Sequence, residues 1–83
     1  MMKIDARFHC KEIVGTIQSG IYELPDGADV TNLLEAAQKQ WGYTLSPEEL
    51  DYMGFMINGQ GADWHTELHD GDMLRVLYRI IGG

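Results

Sequence analysis

The sequence predicts a single α+β domain, and three observations lead to that fold class. Segments near both ends of the chain alternate between apolar and polar residues, which is typical of half-buried strands. A segment between them repeats apolar residues at the spacing of one helical face. The chain has 83 residues, enough for one compact core but not for two. Strands therefore lie on both sides of one main helix, without the strict βαβ alternation of a parallel sheet.

Two strands are predicted before the helix. Apolar and polar residues alternate over residues 3–10, and a second extended run covers residues 16–24, with Tyr22 and Leu24 on one face. Residues 10–18 would hold the turn between them. The two strands are therefore expected to form a hairpin.

The main helix is predicted between Asp29 and Gly42. Asp29 can cap the first turn through its side-chain oxygen, and Gly42 is a natural C-terminal stop. Apolar residues recur on one side of this segment, at Val30, Leu33, Leu34, Ala37 and Trp41. That side is expected to face the core.

The second half of the chain is predicted to hold a short helix and three strands. Ser46 caps the helix, and the proline that follows suits its first position. A short strand over residues 55–57 ends at an Asn58-Gly59 turn. A short edge strand is expected over residues 62–64, and the last strand runs over residues 73–80.

Composition and charge restrict the classes of partner. The formal net charge is −7, and the six basic residues are scattered along the chain, which speaks against nucleic acid as a partner. An acidic domain is better suited to docking on a basic partner surface. No apolar segment is long enough to span a bilayer, and the N-terminal residues lack a signal-peptide pattern. The single cysteine, Cys10, excludes an intrachain disulfide and suits a reducing compartment, so we expect a cytoplasmic protein without a membrane partner.

Four segments, taken in order, resemble the prokaryotic ubiquitin-like sulfur carriers, a family that includes the molybdopterin synthase small subunit and the thiamine-biosynthesis sulfur carrier. The segments are residues 24–30 leading into Leu33-Leu34, Ile57-Asn58-Gly59, residues 68–72, and Gly82-Gly83. The resemblance covers nearly the whole chain. It implies a β-grasp (ubiquitin-like) fold, with a mixed sheet of four to five strands packed on one main helix and with the first and last strands as parallel neighbours. It also implies one domain over residues 1–83, ending in a flexible tail over residues 79–83.

The resemblance implies a function for the tail. A ubiquitin-activating-type adenylating enzyme would use ATP to adenylate the carboxylate of Gly83, and a sulfur donor such as a cysteine desulfurase would convert the adenylate to a thiocarboxylate. The thiocarboxylate would then donate sulfur to an acceptor synthase in cofactor biosynthesis, of the molybdopterin or the thiamine type. The chain would be a protein co-substrate, or the small subunit of a synthase complex, rather than an enzyme, and it would bind no cofactor itself. The pathway and the oligomeric state stay open.

The chemistry of such a tail explains the two glycines. An α-carboxyl group, with a pKa of about 3.5, is ionised at neutral pH and can attack phosphorus. Gly82 and Gly83 have no Cβ, so the backbone can thread a narrow channel to reach the nucleotide. The reacting group is the terminal carboxylate, so no residue can follow Gly83.

The residues before the glycines are a candidate surface for partner binding. If Leu74, Val76 and Tyr78 face the core, then Leu77 faces outward between Arg75 and Arg79. Exposed apolar surface rimmed by charge often marks a docking site. The expected partner-binding residues are Leu77, Arg79, Ile80 and Ile81.

Other candidate sites are weaker. His65 and His69 are four residues apart, but they fall in a predicted turn without a third ligand nearby, so no metal site is expected. Cys10 is expected to be buried, and its role stays open.

Two other functions remain open on the sequence alone. A ubiquitin-like modifier would be conjugated through its C-terminal glycine to a lysine of another protein. A β-grasp binding module would use no tail chemistry at all.

Overall fold

The computed structural model describes residues 1–79, which form a five-stranded sheet and three helices. The elements are β1 (Met2–Phe8), α1 (Lys11–Val14), β2 (Gly20–Leu24), α2 (Val30–Trp41), α3 (Pro47–Asp51), β3 (Met53–Ile57), β4 (Gln60–Ala62) and β5 (Met73–Tyr78). Within this part of the chain, no helix is long and apolar enough to cross a bilayer.

The strands lie in the order β2-β1-β5-β3-β4. β1 and β5 are parallel, whereas β2, β3 and β4 pair antiparallel with their neighbours. The predicted mixed sheet, with its first and last strands as parallel neighbours, is therefore confirmed. β5 is the central strand, and it is hydrogen-bonded on both sides.

One face of the sheet packs against α2. The even-numbered residues of β1 are buried together with Leu33 and Leu34 of α2, while its odd-numbered residues point the other way. We call the side away from α2 the outer face. Its side chains are Lys3, Asp5, Arg7, Ile21, Glu23, Met56, Met73, Arg75 and Leu77, and all of them are exposed or half-buried.

The predicted helix caps are confirmed. The Asp29 carboxylate accepts a hydrogen bond from the Asn32 amide at 3.0 Å, and the Asn32 side chain accepts one from the Asp29 amide at 2.9 Å. Gly42 ends α2 in the left-handed conformation, with φ of 62°. Ser46 and Glu49 form the same reciprocal arrangement at the start of α3.

Several predicted boundaries are wrong. The segment expected to be a simple turn contains α1, and β2 begins at Gly20 rather than at residue 16. β4 covers residues 60–62 instead of 62–64, because the two-residue Asn58-Gly59 turn pairs Ile57 directly with Gln60.

Tyr78 differs from the prediction in its surroundings. Leu74 and Val76 are buried as expected, but Tyr78 is 48% exposed at the end of β5. Its phenol reaches α1 rather than the core.

Candidate functional site

The candidate site is the C-terminal end of β5 and the residues that follow it. Of the predicted site residues, Ile80, Ile81, Gly82 and Gly83 lie outside the described residues. The structure places Leu77 on the outer face of β5 and Arg79 directly after the strand.

Arg79 is held where the described chain ends. Its amide donates a hydrogen bond to the carbonyl of Tyr52 at 2.7 Å, and its guanidinium lies 3.8 Å from the Asp51 carboxylate. Gly54 makes a close approach possible, because a Cβ at that position would lie 3.3 Å from the Cα of Arg79. The start of the predicted tail is therefore fixed against β3 and the end of α3.

A second contact fixes the end of β5 from the other side. The Tyr78 phenol donates a hydrogen bond to the Glu12 carboxylate on α1. The pKa of Tyr78 is raised to about 12; this bond is the largest cause of the rise, and desolvation is the next. The same bond lowers the pKa of Glu12. The carboxylate is therefore ionised and the phenol neutral at neutral pH, which is the state that the bond requires.

An apolar groove runs beside Arg79 along the unpaired part of β3. β4 pairs only with residues 55–57, so within residues 1–79 Met53 and Gly54 have β5 on one side and no strand on the other. The rings of Phe55 and Trp64 pack edge to face at the groove, with centroids 4.7 Å apart. The groove is lined by Met53, Gly54, Phe55, Trp64, Leu77 and Arg79. An apolar side chain of a partner could bind here, next to Arg79.

The basic residues are scattered along the sequence but not in space. Lys3 and Arg7 project from β1 onto the outer face, and Arg75 does so from β5. Register places Arg7 beside Arg75, and Arg79 follows at the end of the same strand. Four of the six basic residues therefore lie on or beside one face, which the sequence analysis did not foresee.

The remaining candidates do not join this site. Cys10 is fully buried, and its Sγ lies 3.8 Å from the carbonyl oxygen of Val76. Burial raises the pKa of the Cys10 thiol, which disfavours the nucleophilic thiolate. His65 and His69 are exposed, and residues 1–79 contain no group of three side chains able to hold a metal ion.

Sequence reasoning missed three residues that shape the site. Glu12 had no local signal, because its contact with Tyr78 depends on how α1 folds back on β5. Gly54 did carry a signal, since a glycine next to a predicted strand often marks a close backbone approach. Trp64 was assigned to a strand, whereas it lies beyond β4 and packs on Phe55.

The similarity of this chain to known proteins lies in its fold and not in its sequence. No protein-family model matches the sequence, and no curated protein matches it. Solved structures do match the fold. A Pyrococcus furiosus protein assigned as molybdopterin converting factor, subunit 1, is similar with a TM-score of 0.70 and 22% identity, over 96% of this chain and all of that one.

Two further structures extend the comparison. Small archaeal modifier protein 1 from Haloferax volcanii matches with a TM-score of 0.71 and 15% identity, over 96% of this chain and 100% of that chain. A chain from the Helicobacter pylori complex of subunits 1 and 2 of molybdopterin-converting factor matches with a TM-score of 0.52 and 23% identity. The match covers 99% of this chain and 100% of that chain.

The chain has a β-grasp fold. The strand order, the parallel β1–β5 pair and the full-length matches to ubiquitin-like proteins agree on this point. The resemblance found in the sequence is thus confirmed at the level of the fold.

Proposed function

We propose that this chain is a sulfur-carrier protein that works through its C-terminal Gly82-Gly83. The observation that carries the proposal is the position of these glycines, four residues after the central strand of a β-grasp sheet. Residues 80–83 reach at most about 14 Å beyond Arg79. A partner enzyme must therefore bind the body of the domain close to β5 in order to act on the tail.

The chemistry takes place in the partner's site. The Gly83 carboxylate attacks the α-phosphorus of ATP, pyrophosphate leaves, and an acyl adenylate forms. A sulfide-level nucleophile then attacks the acyl carbon, and AMP leaves. Where the donor is the persulfide of a cysteine desulfurase, the same attack forms an acyl disulfide, and a thiol reductant cleaves its S–S bond to release the thiocarboxylate. The resulting thiocarboxylate donates its sulfur to an acceptor synthase. The described residues contribute a fixed starting point at Arg79 and a docking face around Leu77.

Two further observations support this role. The structural neighbours include a protein assigned as a subunit of molybdopterin converting factor and a chain from a complex of its two subunits. A complex with a larger synthase subunit is accordingly part of the proposal. In addition, the one cysteine is buried and has a raised pKa, which disfavours Cys10 as the group that carries sulfur and so supports a role for the tail.

The proposal is tested by intact mass of the protein after incubation with ATP, an adenylating enzyme and a sulfur source. A mass gain that matches one oxygen replaced by sulfur is expected for the wild-type chain. Deletion of Gly83, or addition of one residue after it, should abolish the gain. Sulfur loading of the extended chain would reject the proposal, since the terminal carboxylate would then not be the reacting group.

A second candidate function is favoured by the likeness to small archaeal modifier protein 1. A modifier would undergo the same activation, but the Gly83 carbonyl would end on a lysine of another protein. Lysine-linked adducts in cell extract, without free thiocarboxylate, would support this function over the first.

A further inference from the structure

The chain bends over β3 at the point where β5 ends. Gly54 occupies a position of β3 that faces the outer side of the sheet, as Met56 does two residues later. A Cβ added at Gly54 would lie 3.3 Å from the Cα of Arg79. Arg79 is hydrogen-bonded to Tyr52, two residues before Gly54, so this close approach requires its backbone to lie across β3. Arg79 therefore directs the chain over β3 instead of straight beyond the sheet.

The apolar groove along β3 lies directly beside this bend. Arg79 and Leu77 line it from the end of β5, and Trp64 lines it from the loop after β4. Trp64 is half-buried although its ring packs on Phe55, so part of the indole remains open to an apolar ligand. The groove has a volume of about 450 Å³, within the range of small-molecule sites. It therefore has room for aliphatic side chains.

The sequence that follows Arg79 supplies side chains of that kind. The next two residues are Ile80 and Ile81, and the chain ends two residues later at Gly83. The Cα atoms of the two isoleucines lie at most about 3.8 and about 7 Å from the Cα of Arg79. Because Arg79 itself lines the groove, both side chains are within reach of it. Leaving two adjacent isoleucines in water is unfavourable, which provides the driving force for burial.

The covalent connection favours these isoleucines over a ligand from another molecule. A short connection gives an effective concentration in the millimolar range, which a partner or a second copy must match in order to compete. The start of the connection is also ordered already. The Arg79 amide is bonded to the Tyr52 carbonyl, and the Arg79 guanidinium lies 3.8 Å from the Asp51 carboxylate. Part of the entropic cost of binding is therefore met within the folded domain.

From these observations we propose that the groove is an intramolecular binding site for Ile80 and Ile81, which holds the tail against β3 in the free protein. Gly82 and Gly83 have no side chain to bury, and the charged terminus gains nothing from an apolar groove, so they extend past it. An enzyme that acts on Gly83 must first draw the isoleucines out. Its apparent affinity is reduced by the fraction of chains in which the tail is bound. This consequence rests on the proposed function, whereas the contact itself does not.

The test is nuclear magnetic resonance of the full isotope-labelled chain, without ATP or a partner. Nuclear Overhauser contacts are expected between the methyl groups of Ile80 or Ile81 and the indole protons of Trp64. The double variant Ile80→Ser, Ile81→Ser should lose them and shift the Trp64 indole N–H signal. The indole of Trp41, which donates to the Tyr22 phenol at 2.9 Å, is the internal control and should not shift.

A matched variant controls for the substitution itself. Ile21→Ser makes the same change at a residue that is 62% exposed on β2, the edge strand on the other side of the sheet. It should leave both indole signals and the methyl-to-indole contacts unchanged. Retention of the Trp41 signal in every variant verifies that the domain stays folded.

The outcomes separate this proposal from the proposed function. Methyl-to-indole contacts in a chain that is never loaded with sulfur would support the groove site and reject the sulfur-carrier function. Sulfur loading of a wild-type chain that shows no such contact would overturn the groove site while the function stands. Contacts that disappear on dilution would place the tail of a second copy in the groove, which also overturns an intramolecular site.

Discussion

The phenol of Tyr78, the last residue of β5, is hydrogen-bonded to the carboxylate of Glu12, the second residue of α1. The two residues are 66 positions apart in the sequence. Their contact joins the first helix to the point where the tail begins. It also raises the pKa of Tyr78 and lowers the pKa of Glu12, which makes it accessible to titration.

Glu12→Gln is expected to lower the pKa of Tyr78 from about 12 towards the ordinary tyrosine value of about 10. The glutamine still accepts a hydrogen bond but carries no charge to disfavour the phenolate. In the wild-type chain, the folded-state pKa is raised, so this contribution to stability is complete below about pH 10 and is lost as the pH rises through 12. Ultraviolet titration of tyrosinate measures the shift, with Tyr78→Phe to assign the signal. An unchanged titration in Glu12→Gln would contradict the proposed cause.

Cys10 is expected to react slowly with thiol reagents in the folded protein and rapidly in denaturant. Its side chain is fully buried, and burial raises its pKa, so little thiolate is accessible at neutral pH. Cys10→Ala should retain sulfur loading at the wild-type level. Loss of loading in a variant that still folds would show that Cys10 takes part in sulfur transfer.

Gly15→Ala should destabilise the fold by about 2–4 kcal/mol, measured by urea denaturation. Gly15 has φ of +58°, and an added Cβ would lie 2.5 Å from Cε1 of Tyr43. Gly27→Ala serves as the control, since Gly27 also has positive φ but open space around it, and it should cost only about 1 kcal/mol. Equal effects of the two substitutions would show that the contact with Tyr43 does not matter. A double-mutant cycle that combines Gly15→Ala with Tyr43→Ala isolates the energy of that contact.

Asn58→Ala should destabilise the fold by about 1–3 kcal/mol. The Asn58 side chain donates to the Asp72 carboxylate at 2.8 Å and accepts from the Met73 amide at 2.9 Å, while its backbone has φ of 51°. Asn58→Gly removes the same bonds but adopts this φ without strain, so it should be the milder substitution. A glycine variant less stable than the alanine variant would refute the assigned strain.

The sequence predicted the parts of the fold that local chemistry determines. Capping by Asp29 and Ser46, the stop at Gly42 and the alternation in β1 are all confirmed, because each depends on residues within four positions of one another. α1 was missed for the converse reason. Cys10 makes no side-chain cap for this four-residue helix, and the burial of Cys10 and Val14 against the rest of the core stabilises it instead.

The candidate site was predicted in part. The outward position of Leu77 follows from strand alternation and is confirmed. The basic cluster could not be read from spacing along the chain, because Arg7 and Arg75 meet only through the parallel pairing of β1 with β5. The roles assigned to residues 80–83 remain predictions.

The parallel pairing of β1 and β5 has a mechanical consequence. Because the two strands run in the same direction side by side, Met1 and Arg79 leave the sheet at opposite ends. A force applied between these ends acts along the strands and loads the whole ladder from Asp5–Met73 to Phe8–Val76 at once, instead of opening it one bond at a time. A pull on the C-terminal end while the N-terminal end is held would therefore load this ladder in shear.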